Sequence, residues 1–191
     1  SRIDPKKGLD ILVRALAQLR ERRDFTFLIA GEGTASYERE IRELVSANGL
    51  NDRTHFLGLV EGEEKWAVLA GSDIFALPSH NENFGVAVVE AMALGLPAVI
   101  SDRVAIHPDV LEAQAGVVTG LEVGEVAAAI DALLLDGDLR ASMGESGRAL
   151  ASKKFSWEPN AERIVEMYES IIEKSSRQPV GLMGAGVSSG E

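Results

Sequence analysis

Short apolar runs alternate with stretches of helical periodicity along most of this chain, and the alternation restricts its fold more than any other feature. The apolar runs predict buried strands at residues 25–30, 54–59, 74–77, 98–100 and 116–118. Between and after them, helices are predicted at residues 9–19, 37–48, 63–70, 86–96, 123–135, 139–153 and 159–174. Strands that alternate with helices form a parallel sheet covered on both faces. The sequence therefore predicts an α/β fold with a doubly wound parallel sheet.

Composition narrows the functional classes. At 191 residues and 46% hydrophobic content, the chain is long enough for one domain with a real core. Its net charge of −11 argues against a nucleic-acid partner. The absence of cysteine excludes disulfides and fits a cytoplasmic protein, and the three scattered histidines show no metal-ligand spacing. The first 23 residues carry seven Lys or Arg against three Asp or Glu, so an anionic ligand would be drawn there.

The most informative stretch is a polar loop that opens into an apolar helix. Asn81 and Asn83 are the expected N-cap residues, and residues 86–96 follow as a nearly unbroken apolar run. Glu90 is the one carboxylate in that run. Because carboxylates are rarely buried without partners, we expect Glu90 to be mostly buried and to face a ligand or a basic side chain.

The same stretch has the dimensions of a site for an elongated ligand. The amides of Asn83, Phe84 and Gly85 would form an anion-binding helix mouth, and Glu90 would lie about 9 Å further along the axis. A phosphate at the mouth, a polyol near Glu82 and a hydroxyl pair near Glu90 would fit. On periodicity alone, a capped core helix whose Glu90 reaches a neighbouring Lys or Arg is equally compatible.

The residues around these two glutamates resemble a known signature. Glu82 and Glu90, spaced as Glu-x7-Glu, lie within the frame Pro78-Ser79-His80-Asn81-Glu82-Asn83-Phe84-Gly85 and Glu90-Ala91-Met92-Ala93-Leu94-Gly95-Leu96-Pro97. This frame is similar to that of retaining GT-B glycosyltransferases of family 4. In that family it belongs to the C-terminal, donor-binding domain, which has a Rossmann-like fold.

The resemblance implies roles for individual residues. Arg2 and Lys7, in a loop similar to the family's Gly-Arg-Leu-x-x-x-Lys-Gly motif with Ser1 in place of its first glycine, would grip the donor diphosphate. Glu82 would approach the donor sugar and Glu90 would hold the ribose. The remaining residues implied to bind the donor are Asn83, Phe84, Gly85, Gly31 and Gly33. No metal and no cofactor are implied, since the nucleoside diphosphate sugar is a substrate.

Two departures from the family pattern limit how far the family's residue roles apply to this chain. The loop at residues 101–108 has Val104-Ala105 where the family has Gly-Gly, so whether it contacts phosphate is left open. Family members also carry a buried strand immediately before the loop at residues 2–7, and the sequence given begins without it. We therefore expect a gap beside the strand at residues 25–30, with marginal stability or self-association as its consequence.

Taken together, residues 1–174 are expected to form a nucleotide-sugar donor-binding domain and residues 175–191 a disordered, Gly/Ser-rich tail. The expected function is the donor-binding portion of a retaining, metal-independent hexosyltransferase, inactive without the N-terminal domain that carries the acceptor site. Membrane contact, if any, would occur through that other domain. The alternative is a nucleotide-binding or interaction module without transferase chemistry. An NAD-dependent enzyme is disfavoured, because no Gly-x-Gly-x-x-Gly follows a strand.

Overall fold

The computed structural model describes residues 1–155, so the predicted helix at 159–174 and the predicted tail lie outside the described residues. It contains five short strands, which alternate with helices as the sequence predicts. The strands are β1 (Phe27–Ala30), β2 (Thr54–Gly58), β3 (Phe75–Leu77), β4 (Ala98–Ser101) and β5 (Gly116–Thr119). Every pairing between these strands is parallel, which confirms the α/β class.

The strands form two sheets instead of the single sheet that the sequence predicts. In the first, β1 pairs with β2, and Phe27 lies opposite Thr54. In the second, β4 lies between β3 and β5, with Val99 opposite both Ala76 and Val117. No ladder joins β1 to β3 within residues 1–155.

Seven α-helices connect and cover the strands in the described region. They are α1 (Leu9–Leu19), α2 (Ala35–Ala47), α3 (Gly62–Ala70), α4 (Val86–Ala93), α5 (His107–Glu112), α6 (Val123–Leu135) and α7 (Gly137–Leu150). The short helix α5 was not predicted. Helix α7 begins two residues before its predicted start, because the carboxylate of Asp136 caps it by accepting from the Leu139 N–H at 2.8 Å. Among residues 1–155, no helix combines the length and the hydrophobicity that a membrane crossing requires.

The interior consists of two apolar clusters on opposite faces of β4. Val99 packs into the first cluster with residues of α1, α2 and α6. Ala98 and Ile100 pack into the second with residues of α4 and α5. Consecutive residues of a strand point to opposite faces, so a strand that is buried on both faces must be apolar at every position facing a core. This explains why the run at residues 98–100 has no polar residue.

A cavity of about 1300 Å³ separates the two sheets, and its walls include all of β1 and β3 together with apolar residues of α1 and α6. The gap that we expected beside β1 is therefore present. Leu28, which lines the cavity, remains 37% exposed, and no residue of α3 is fully buried. The edges of β1 and β3 that face the cavity have no strand partner within the described residues.

These unpaired edges lead to a prediction about stability. Fusing a six-residue apolar, strand-forming segment to Ser1 should raise the free energy of unfolding by about 2 kcal/mol or more. Apolar burial contributes about 1.5–3 kcal/mol per large side chain, against an ordering cost of about 1–2 kcal/mol per residue. Chemical denaturation measures the change, and sedimentation should show reduced self-association. A Gly/Ser extension of equal length is the control, and equal stability of the two fusions would contradict the prediction.

Candidate functional site

Two loops meet at the carboxyl ends of the strands because a glycine allows their backbones to touch. Gly8 adopts φ +67°, and a Cβ at this position would lie 2.0 Å from the carbonyl oxygen of Pro78. Next to this contact, the His80 N–H donates to the Lys6 carbonyl at 2.8 Å. The loop that carries Lys7 is thereby fixed against the loop that carries Glu82.

This juxtaposition brings together two residues to which the sequence analysis gave separate roles. Lys7 Nζ forms an ion pair and a hydrogen bond with Glu82 Oε2. Both side chains are largely covered, with exposed fractions of 16% and 20%. Because both side chains are mostly covered, each charge depends on the other for compensation. A ligand that separates the pair must therefore offer an anion to Lys7 and hydroxyl groups to Glu82.

The second glutamate is paired as well, on the neighbouring helix α4. Lys65 Nζ, on α3, donates to Glu90 Oε1 at 2.7 Å, and the Glu90 side chain is 24% exposed. Glu90 is thus mostly buried, as predicted, and lines the cavity. Helix α4 is nevertheless not packed on all sides, since Val86 in its first turn is 60% exposed. Glu90 Oε2 has no hydrogen-bond partner among residues 1–155.

The start of α4 differs from the prediction. Neither Asn81 nor Asn83 caps the helix. Its N-cap is Gly85, with φ +89° and no side-chain hydrogen bond. Because a glycine N-cap has no side chain that could accept a hydrogen bond, the N–H groups of Val86 and Ala87 have no acceptor within the described residues. The anion-binding end of the helix therefore lies just beyond the amides that we had assigned to it.

Gly31 and Gly33, which the family resemblance implies as donor-binding residues, have a structural role of their own. Ile3 forms a parallel bridge with Gly33, and the Ile3 N–H donates to the Glu32 carbonyl at 2.8 Å. A Cβ at Gly33 would lie 2.0 Å from the Ile3 carbonyl oxygen, and one at Gly31 would lie 1.7 Å from that of Ser1. Glycine is needed at both positions to admit the chain that carries Arg2, whether or not a ligand is bound.

The cavity gathers most of the predicted site. Its lining includes Arg2, Lys7, Gly31, Gly33, Glu82, Gly85 and Glu90. Asn83 and Phe84 are not part of the lining. Both are exposed, and the Phe84 ring packs edge-on against that of Phe155 with 5.5 Å between centroids. Sequence reasoning missed Lys65, because the helical pattern at residues 63–70 does not show which face of α3 meets α4.

The electrostatics of the cavity mouth are dominated by compensated charge. Burial lowers the pKa of the Ser1 amine below its ordinary value of 8.0, and the positive charge of Lys7 lowers it further. Within residues 1–155, no group of three or more Asp, Glu or His side chains is arranged to hold a metal ion. Among the described residues, the cationic side chains that line the cavity are those of Arg2, Lys7 and Lys65.

Comparison with known proteins assigns the family. The sequence model described as glycosyl transferases group 1 matches residues 1–150, which is most of the chain. The chain belongs to this family. A GDP-mannose-dependent monoacylated alpha-(1-6)-phosphatidylinositol monomannoside mannosyltransferase of Corynebacterium glutamicum is 34% identical over 178 residues, which are 89% of this chain and 46% of that protein. A D-inositol 3-phosphate glycosyltransferase of Corynebacterium jeikeium is 34% identical over 94% of this chain and 45% of its own length.

Solved structures of glycosyltransferases share the fold. Sucrose-phosphate synthase from Thermosynechococcus elongatus superposes with a TM-score of 0.81 at 27% identity, over 91% of this chain and 44% of that one. HepE from Anabaena in complex with UDP-glucose gives 0.79 at 30% identity, over 89% and 47%. A C-terminal domain of a glycosyl transferase group 1 protein from Francisella tularensis gives 0.73 at 24% identity and is itself covered to 83%. This chain therefore has the fold of a GT-B C-terminal domain. It spans a little under half the length of the two Corynebacterium relatives.

The loop contact at Gly8 can be tested by substitution. Gly8→Ala should lower the free energy of unfolding by about 2–4 kcal/mol, because the left-handed conformation costs alanine about 1–2 kcal/mol and the Cβ also meets the Pro78 carbonyl. Gly62→Ala is a matched control, since Gly62 has φ +54° and open space around its Cβ position among the described residues. Urea denaturation measures both losses. Equal losses would show that the contact with Pro78 contributes nothing.

Proposed function

We propose that this chain binds a nucleoside diphosphate sugar as the donor-binding portion of a retaining, metal-independent glycosyltransferase of the hexosyltransferase type. The observation that carries the proposal is the shared cavity. Two carboxylates, Glu82 and Glu90, line it together with Lys7 and Lys65, at the carboxyl ends of parallel strands. A ligand that combines an anionic centre with hydroxyl groups at two places matches this set of groups.

The diphosphate would bind where positive charge is concentrated. Lys7 lines the cavity beside Glu82, and Arg2 lies on the exposed rim of the same cavity. The free N–H groups of Val86 and Ala87 add the positive end of α4. When the bond between sugar and diphosphate breaks, negative charge grows on the departing phosphate, and these fixed groups would stabilise it.

The two glutamates would bind hydroxyl groups. Carboxylate oxygens accept strong hydrogen bonds from hydroxyls, and each glutamate has an oxygen that its lysine does not occupy, Oε1 of Glu82 and Oε2 of Glu90. Glu82 would meet the donor sugar beside the diphosphate, and Glu90 would hold the ribose. Lys65 would keep the carboxylate of Glu90 oriented and its charge compensated.

The acceptor would bind elsewhere in a longer protein. The chain spans 46% and 45% of the two Corynebacterium relatives, and its fold matches a C-terminal domain alone. We expect the N-terminal GT-B domain to supply the acceptor site, so this chain alone should bind the donor without turnover. Cytoplasmic location, membrane contact through the other domain and independence of metal belong to this proposal.

The identity of the donor's nucleoside and of its sugar is a separate question within this proposal. The HepE structure contains UDP-glucose and the mannosyltransferase relative is named as GDP-mannose-dependent, so both donors belong in the first binding panel. The alternative function, nucleotide binding without transfer, would use the same cavity. It would show equal affinity for a nucleoside diphosphate and for its sugar conjugate.

Two glutamine substitutions test the division of roles. Glu90→Gln should weaken binding of the bare nucleoside diphosphate by about 1–3 kcal/mol, since it spoils a charged hydrogen bond to the ribose. Glu82→Gln should leave that affinity nearly unchanged, because its proposed partner is the sugar, and should weaken binding of the sugar conjugate only. Calorimetric titration with UDP, UDP-glucose, GDP and GDP-mannose measures both effects.

A matched control and a contradicting result complete this test. Glu112→Gln alters a carboxylate on α5 that does not line the cavity, and it should change none of the four affinities. Equal losses for Glu82→Gln and Glu90→Gln against the bare nucleotide would contradict the assignment of one glutamate to the sugar and the other to the ribose.

A further inference from the structure

The last residue of β4 and the loop that follows it hold residues 79–82 at both ends. The Ser101 hydroxyl donates to the Ser79 carbonyl at 2.5 Å. At the other end, the Glu82 N–H donates to the Arg103 carbonyl at 3.1 Å, and the Ala105 N–H donates to the Glu82 carbonyl at 2.9 Å. These last two bonds form a parallel bridge between Glu82 and Val104. The backbone of Glu82 is thus fixed by residues 101–105.

Val104 is the centre of this loop and is built into the core. Its side chain is fully buried in the same cluster as α4, and its Cγ1 lies 3.1 Å from where a Cβ on Gly85 would be. Its N–H donates to the Ser101 carbonyl at 3.2 Å. Its own carbonyl accepts from the N–H of His107 and contacts His107 Nδ1, both at 2.9 Å.

The N–H groups of this loop are therefore not available to a phosphate. Both Val104 and Ala105 use theirs inside the protein, the first within the loop and the second on Glu82. To turn either amide toward a ligand, the bridge to Glu82 would have to break and a buried valine side chain would have to leave the core. That movement is opposed because the apolar surface of a fully buried valine would return to water.

We propose that Val104 and Ala105 form a positioning element for Glu82 and do not bind the donor phosphate. This inference rests on the proposed function, because it assigns the loop to recognition of the donor's sugar through Glu82. The diphosphate would then be held by Arg2, Lys7 and the start of α4 alone. Loosening the loop should change the preference for the sugar conjugate and leave affinity for the bare nucleoside diphosphate unchanged.

The test compares V104G and V104A in the 191-residue chain, with E82Q as the reference. For each variant the measured quantity is the ratio of the dissociation constants for UDP and UDP-glucose, and for GDP and GDP-mannose. V104G gives the backbone more freedom and leaves the space of the valine side chain in the core empty. It should lower this ratio by about tenfold, which corresponds to the loss of one hydrogen bond. V104A keeps the backbone restriction and should lower it less. The affinity for bare UDP or GDP should stay within about twofold, since no phosphate contact is lost.

A double-variant cycle separates positioning from a merely structural effect. If Val104 acts through Glu82, V104G combined with E82Q should lower the ratio no further than E82Q alone. Additive losses would overturn the inference, as would a V104G variant that changes affinity for the bare nucleotide and keeps the ratio. If V104G fails to show a cooperative thermal transition, V104A with the same cycle decides.

The outcome distinguishes this inference from the proposed function. If the wild-type chain binds none of the four nucleotides, the proposed function is wrong. If it binds them and V104G retains the full sugar preference, only the role of the loop is wrong. A wild-type chain that binds UDP and UDP-glucose equally, and GDP and GDP-mannose equally, has no sugar recognition for Val104 to position, and that result would also overturn the inference.

Discussion

The close backbone approach of residues 1–8 to both sheets is the constraint on which the site depends. The two sheets are not paired with each other within the described residues, and this segment reaches both of them. Ile3 pairs with Gly33 beyond β1, and Lys6 accepts from His80 beyond β3. Each contact requires a glycine where a Cβ would collide with a carbonyl oxygen. This segment places Lys7 beside Glu82.

Charge compensation inside the cavity follows from that arrangement. Each glutamate is matched by one lysine, and each pair spans two elements that approach from different sides. Removing one partner of a mostly covered ion pair leaves the other charge uncompensated, so a ligand must replace the group that it displaces. A ligand that brings only negative charge would leave the carboxylates facing it, whereas a ligand that also carries hydroxyl groups satisfies both kinds of side chain. This is the reason for proposing a nucleoside diphosphate sugar as the ligand of the cavity.

Much of the fold could be predicted from the sequence, because periodicity reports burial. The helix predicted at residues 123–135 is observed at that position, and residues 98–100 of β4 are all apolar because the strand is buried on both faces. An unpaired edge beside β1 could be predicted from the sequence, but the separation of the strands into two ladders could not. The capping of α4 was predicted wrongly, because asparagine is a common cap and nothing local shows that Gly85 makes the turn instead.

The two carboxylates of the site could be predicted from the sequence, but the lysine that pairs with Glu90 could not. A lone glutamate in an apolar helix indicates a partner without naming it, and Lys65 is 25 residues away on another element. The role of Val104 was hidden for the same reason. A valine in place of a glycine indicates lost backbone freedom, but only the fold shows that the neighbouring amide is bonded to Glu82.

The central claim is that one cavity binds the whole donor, and NMR titration of the isotope-labelled chain tests it most directly. On addition of UDP-glucose or GDP-mannose, the amide resonances of Lys7, Lys65, Val86 and Glu90 should shift together with one dissociation constant. Resonances around the separate cleft beside Tyr37, which has a volume of about 480 Å³, should stay in place. Shifts centred on that cleft, or two unrelated dissociation constants within the cavity, would contradict the account.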